Sequence, residues 1–426
     1  VSSENNVEAI EVLQKVGVMT GDENGKFNPD ANVTRNEMAV IMSNMLDYKV
    51  SNYAGTAPFT DVPAWAEPYV AACYTNGIIA GYDAKTFGGS DSVTTSQAAL
   101  MLMKALGYFQ YQSDFGDDWL VETTRQGSQI GLFDDVDTGA TQALTRNDVA
   151  QMVLNALEAN MVQYTGNGGT TIKGDGYEIT TGKATYEDRT STNNKYGKID
   201  NESRDRNDGK YVIQLGEDLY DGDLEKDADA DDFGRPGTTW SYEGDEIGTY
   251  ADNADDSMVI NKTLSAQAIL VTDSDYFDYN RKDLADDGDL NLYINGDAEF
   301  ENGDYADLSS VTLKAGDQVE LFENDDKKVE TIAIIRYSLA KIDTIEDNLS
   351  STYTNKGATY AITLETLSES GIGGTYYDVY DGDSTKELTG FNADTYTEGT
   401  VLAVAFRDGK FGDEVLASYE AEAVTG

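Results

Sequence analysis

The first 160 or so residues of this chain repeat one unit three times, and a repeat of that length leaves few folds open. Gly17, Gly21, Phe27 and Thr34 are separated by 4, 6 and 7 residues, and Gly77, Gly81, Phe87 and Thr94 reproduce those separations at a constant offset of 60. Gly131 and Thr145 continue the series with a loop three residues shorter. Trp65 to Gly77 and Trp119 to Gly131 are both 12 residues. Spacing held over several landmarks identifies a repeated structural unit.

Each copy ends in a helix whose start is legible as Thr34-Arg35-Asn36-Glu37, Thr94-Thr95-Ser96-Gln97 or Thr145-Arg146-Asn147-Asp148. A threonine N-cap with Glu or Gln at the third helical position satisfies two orphan backbone donors reciprocally; Asp148 serves that role only approximately. Behind the caps, Met38, Ile41, Met42 and Met45 recur at helical spacing, as do Ala98, Met101, Leu102 and Ala105, then Val149, Met152, Val153 and Ala156. Such stripes are core. Gly17, Gly77 and Gly131 fall where a left-handed C-terminal cap ends the preceding helix. One copy is thus helix, loop, helix. A unit this small cannot bury its stripe alone, so the three copies are expected to pack around a shared axis, with the clefts between them as natural binding sites.

Composition narrows the function. A chain of 426 residues exceeds a single core, so at least two domains are expected. Lys and Arg number 30 against 78 Asp and Glu, a net charge of −48, which argues against binding nucleic acid over any broad surface. There is no histidine, which removes Ser-His-Asp and Cys-His nucleophile systems together with the commonest zinc ligand. The one cysteine, Cys73, lies in an apolar run and reads as a buried, inert thiol. No stretch is long and apolar enough for a membrane span. Residues 1–20 lack a signal-peptide pattern, so any export signal is expected to have been removed.

Arg35 and Arg146 stand at the first helical position, where a cation opposes the helix dipole by about 0.3–1 kcal/mol. Helix stability alone does not select it, whereas an anionic or sugar ligand does, because guanidinium matches carboxylate oxygens in a bidentate fork. A solvated arginine beside an ordinary cap is the plainer reading of either residue; recurrence in two copies favours the ligand. Copy two has Thr95 instead, which predicts a weakened or lost site. Trp65 and Trp119 are either platforms for sugar rings or large core residues.

With Phe59-Thr60-Asp61-Val62, Trp65 and Trp119, Gly77-Ile78-Ile79-Ala80-Gly81, Phe87, and the Thr-Arg starts at 34 and 145, residues 5–160 resemble three S-layer homology modules. The resemblance implies an all-α, pseudo-threefold bundle whose inter-module grooves bind a secondary cell-wall polysaccharide, often through a pyruvylated amino sugar. It implies Thr34, Arg35, Thr145 and Arg146 as the ligand-gripping residues, with Asp61, Trp65 and Trp119 lining grooves. Copy one lacks the aromatic-x-Asp opening and its tryptophan, and copy two lacks the arginine, so one or two competent grooves are expected. The whole resembles a surface-layer protein of a Gram-positive-type, Clostridia-like bacterium.

From Tyr164 the helical stripes stop, and Thr165-Gly166-Asn167-Gly168-Gly169 signals a linker. Of the 78 acidic residues, 57 lie beyond residue 163. Runs such as Tyr211–Leu215, Met258–Ile260, Ala268–Val271, Val319–Phe322 and Val401–Phe406 predict small antiparallel β units. Gly316 to Tyr337 and Gly399 to Tyr419 read as a second, looser repeat, each a hairpin that closes one β unit and enters the next. The expected organisation is repeats at 1–50, 51–110 and 111–163, an acidic β-rich part at 164–340, and a further β-rich domain at 341–426. The last is cut off at Val424-Thr425-Gly426, which predicts a fragment of a longer protein.

Asp227, Asp229, Asp231 and Asp232 cluster in sequence, as do Asp283, Asp286, Asp287 and Asp289, and hard oxygen ligands suit Ca²⁺. Twelve-residue loops begun at Asp227 or Asp283 end at Thr238 and Ile294 and so miss the closing Glu of an EF-hand. Solvated acidic loops are the alternative. The expected protein is non-catalytic and extracellular, anchored to the wall by its repeats and self-associating into a two-dimensional lattice through its β domains. No cofactor is required, and calcium is a candidate counterion. A wall-tethered polysaccharide hydrolase using paired carboxylates and an adhesin are the rival readings.

Overall fold

The computed structural model describes residues 6–22, 24–165, 171–174, 177–180, 183–190, 195–199, 210–271, 274–346, 349–367, 375–381, 385–388 and 396–421. Most of the anticipated Gly-rich linker and the final three residues lie outside them. The chain forms two compact units, one of Val1–Asp227 with Thr239–Gly248, the other of Ala228–Thr238 with Thr249–Gly426. Among the described residues, no helix is long and apolar enough to cross a membrane.

The first unit holds three helix pairs: α1 (Val7–Lys15) with α2 (Arg35–Met45), α3 (Glu67–Thr75) with α4 (Thr95–Ala105), and α5 (Trp119–Gln129) with α6 (Arg146–Glu158). Thr34 and Thr94 cap their helices reciprocally with Glu37 and Gln97, while Thr145 accepts from Asp148 N without the return bond. Gly17, Gly77 and Gly131, with φ near +75°, end the preceding helices in the left-handed conformation that a Cβ would strain. Met38, Met42, Leu102, Met152 and Val153 are fully buried.

The expected all-α bundle is not what forms. A threonine N-cap requires an extended residue ahead of the helix, and Thr34, Thr94 and Thr145 have ψ near +160°. Their extended approaches carry backbone groups that must find partners once buried. They find one another: Val33 N donates to Leu144 O, Leu144 N to Val93 O, and Val93 N to Val33 O, closing a ring of hydrogen bonds. Bridges join Thr34 to Ser92, Thr94 to Ala143 and Asn32 to Thr145. The same compact unit also contains true strands. Val162–Thr165 pairs with Lys183–Tyr186, and Asp188–Arg189 pairs with Tyr211–Val212. The unit is therefore mixed α and β. It is further secured by Trp240, fully buried, whose Nε1–H donates to Glu8 Oε1 at 2.6 Å while the Lys226 ammonium sits 5.4 Å over its ring.

The second unit is built of β-sheets: the runs at Met258, Val319–Phe322 and Val401–Phe406 fall on its strands, whereas Ala268–Val271 overlaps a 3-10 helix (Ala266–Ile269), and Tyr211–Leu215, in the first unit, is a strand only to Val212 before a helix begins at Leu215. One contains β1 (Asp256–Val259), β2 (Leu290–Ile294), β3 (Asp297–Gly303), β4 (Gln318–Glu323) and β5 (Val329–Ile335) in the order β1-β4-β5-β2-β3; β2 and β5 are parallel and the other pairs antiparallel. The other contains β6 (Ser338–Glu346), β7 (Ala361–Thr366), β8 (Tyr376–Tyr380), β9 (Val401–Phe406) and β10 (Val415–Glu420), antiparallel in the order β8-β7-β6-β9-β10. The two looser repeats are the hairpins β4–β5 and β9–β10. Leu290, Leu292, Ile332 and Ile334 centre one core; Ile342, Leu364, Leu402 and Val404 centre the other. Asn295 ties the sheets together: its amide donates to Arg336 O and Phe406 O at 2.8 and 2.6 Å and accepts from Arg336 N at 2.8 Å.

Candidate functional site

Arg35 opens α2, yet its side chain does not face solvent; only 4 % of the residue is exposed. Its backbone N–H donates to Asp91 O, which aims the side chain into the loop of the second copy. There Nε donates to Phe87 O at 3.2 Å and Nη2 to Ala80 O at 2.9 Å. The guanidinium carbon lies 4.6 Å from the Phe87 ring centroid and 4.7 Å from that of Tyr82, so the cation is held between two aromatic faces. Burial pushes its pKa below the ordinary value, against the opposing influence of Tyr82, Asp91 and Asp61.

Asp61 fixes the loop that receives this arginine. One carboxylate oxygen accepts from Phe87 N and the other from Gly88 N, both at 2.8 Å. Those hydrogen bonds, Phe87 foremost, hold its pKa below the usual carboxylate range. The residue expected to line a groove is thus occupied in shaping its wall.

Beside Arg35 lies an open cleft of about 290 Å³, lined by Ile78–Tyr82 of the second loop, by Gln97, Leu100, Met101 and Lys104 of α4, and by Trp119 at the start of α5. Trp119 is 42 % exposed, as a platform would be and a core residue would not. Lys104 has its pKa lowered by burial and places its ammonium 6.0 Å over Phe115. In a chain with 78 acidic residues, neither Arg35 nor Lys104 forms an ion pair among the described residues. Two partly desolvated cations beside one exposed aromatic ring form an arrangement with the chemistry to accept an anionic group. The sequence reading missed Lys104, Gln97 and Tyr82. Gln97, Leu100, Met101 and Lys104 recur at helical spacing of 3 and 4, a face that could have been read once α4 was placed.

Arg146 repeats the arrangement on the first loop. Nε donates to Phe27 O and Nη2 to Thr20 O, both at 2.7 Å, and the guanidinium lies 4.6 Å from the Phe27 centroid. Trp65 is 57 % exposed. Thr95, the third equivalent, is buried and donates its hydroxyl to Thr138 O, which leaves no cation there. Thr34 and Thr145 are spent as helix caps.

The acidic clusters do not converge. Asp231 accepts from Arg235 Nη2 at 2.6 Å, Asp287 from Arg281 at 2.8 Å, and Asp286 from Lys328 at 2.9 Å. Asp283 accepts from Asn280 N, Asp229 from Ala230 N, and Asp289 donates its N–H to Asp286 O. Asp227 is on an exposed part of its strand. Among the described residues no three acidic or cysteine side chains are grouped so as to hold a metal ion together.

Comparison with known proteins finds relatives of the N-terminal repeats. The S-layer homology domain family matches residues 1–39 and 58–99. The chain is 38 % identical over 100 residues to a surface-layer 125 kDa protein of Lysinibacillus sphaericus, over 23 % of this chain and 8 % of that one. It is 27 % identical over 157 residues to a middle cell wall protein of Brevibacillus brevis, covering 35 % and 14 %. An endoglucanase of a Bacillus species is 29 % identical over 110 residues, covering 24 % and 12 %. The chain therefore spans only a small part of the length of these relatives.

Proposed function

From the premise that this chain carries S-layer homology domains in its N-terminal part, as surface-layer proteins of Gram-positive bacteria do, we propose that it is held on the cell surface by a wall polysaccharide seated in the Arg35 cleft. The observation that carries this reading is the pair Arg35 and Lys104, two cations without acidic partners among the described residues, facing an exposed tryptophan across an open cleft. An acidic sugar substituent, such as a pyruvate ketal, supplies the missing charge to Arg35 while its ring stacks on Trp119. Arg146, held against Phe27 and two carbonyls of the first loop, offers a second position for an acidic group, and the Thr95 position offers none. Retention on purified cell walls tests the proposal. The Arg35→Met, Arg146→Met double variant is expected to wash off where the unsubstituted chain stays bound, and equal retention overturns it.

In this reading the β-rich unit is structural and assembles laterally into a surface lattice. Divalent cations such as calcium act between copies as counterions to a net charge of −48, not in a cage within one chain. Ordered sheets in electron micrographs after calcium addition are the expected result. The likeness to an endoglucanase supports a tethered enzyme as a second reading; turnover on polysaccharides by the purified chain would establish it in place of the lattice.

A further inference from the structure

A second cavity, of about 200 Å³, lies further along α5. Its apolar wall is Tyr108 and Phe109, both nearly buried. Its polar wall is Asp114, Glu122 and Gln126, closed by Tyr164, whose hydroxyl donates to Asp114 Oδ2 at 2.9 Å. This pairing of an aromatic face with convergent hydrogen-bonding groups is what a sugar ring requires, since one side of the ring is C–H and its rim is hydroxyl. Arg125, also at this cavity, is already paired with Glu122 at 2.7 Å. The carboxylate of Asp114 then leaves the cavity net negative, so it suits a neutral or amino-bearing ring and repels an acidic one.

The two cavities share a helix. Trp119 lines the Arg35 cleft, while Glu122 and Gln126, three and seven residues on, line this cavity. Those spacings put the three side chains on one face, with the second cavity about 5–10 Å along the axis at about 1.5 Å per residue. A second path joins them: Lys104 of the cleft lies over Phe115, and Phe115 stacks on Phe109 at 5.0 Å.

We propose that this cavity is a second saccharide subsite, which takes a neutral or amino sugar of the same polymer whose acidic unit occupies the Arg35 cleft, so that α5 reads two positions of the chain at once. The inference rests on the anchoring reading. Its test is isothermal titration of the full chain with the isolated acidic sugar unit and with a longer wall-polysaccharide fragment in which that unit is joined to its neutral or amino neighbours. Occupying a subsite with a charge-assisted hydrogen bond is worth about tenfold or more in affinity, so the longer fragment is expected to bind at least about tenfold more tightly. Ala184→Trp, which fills the cavity, and Gln126→Ala should abolish that gain while leaving the single unit bound as before; that retained binding also shows the variants are folded. If single units bind and the longer fragment gains nothing, or the gain survives Ala184→Trp, the subsite falls and the anchor stands. If no fragment binds the unsubstituted chain, the anchoring reading falls and takes the subsite with it.

Discussion

At Arg35 a guanidinium has left water for a slot between two aromatic rings, and the oxygens it reaches are carbonyls. Carbonyl dipoles and ring faces offset its desolvation in part, about 0.5–2 kcal/mol for each ring, and Asp91 and Asp61 act on it only at a distance, with no carboxylate in ion-pair contact among the described residues. A buried cation of this kind contributes little to folding, and an apolar side chain of similar length can replace it at small cost. Arg35→Met is therefore expected to lower stability in thermal melts by less than about 3 kcal/mol, chiefly through the two carbonyls it deprives, while wall binding is lost. A large loss of stability would make the arginine a folding residue. That Arg35 is a candidate was legible in the sequence because a cation at the first helical position works against its own helix. The rings around it were not, since Phe87 and Tyr82 come from another copy. Asp61 could not be assigned its loop-holding role for the same reason: Phe87 N and Gly88 N lie more than 25 residues away.

The elements divide by the range of the forces that make them. Helix starts at Thr34, Thr94 and Thr145 and stops at Gly17, Gly77 and Gly131 were readable because caps act within four residues. The ring of hydrogen bonds among Val33, Val93 and Leu144 was not, because each partner lies in a different copy, and so the unit was expected to be all helix. The caps carry both structures: Thr34→Ala is expected to cost about 0.5–2 kcal/mol in denaturant unfolding and to loosen the approach of Arg35. Loop 80–88 should respond to pH through Asp61. Its pKa lies below the ordinary 3.8, so the folded state holds fewer protons than the unfolded one. The contribution is present above pH 3.8 and is lost as pH falls through the folded value. Hydrogen exchange at the Phe87 and Gly88 amides should accelerate in that acid range alone; protection that persists there would remove Asp61 from the account.

Across the whole molecule, the proposed cleft, whose Arg35 and Lys104 form no ion pair among the described residues, sits in a chain of net charge −48. The long-range field therefore opposes an acidic polymer that the cleft attracts at contact. Added salt screens the former over a Debye length of about 10 Å at 0.1 M and affects the latter less. Association with wall polysaccharide is expected to quicken as salt rises to about 0.15 M, with dissociation nearly unchanged; biolayer interferometry reads both. In the second unit, Asn295→Ala strips Phe406 O and Arg336 O of their donor and is expected to cost about 2–5 kcal/mol in urea unfolding.

The most direct test of the account is the coupling between Arg35 and the acid group of the polymer. Wall polysaccharide with its acidic substituent intact or chemically removed is titrated into the unsubstituted chain and into Arg35→Met. Removal of the acid should weaken binding to the unsubstituted chain by about tenfold or more and make little difference to Arg35→Met. If Arg35→Met discriminates between the two polymers as well as the unsubstituted chain does, the guanidinium is not what holds the wall.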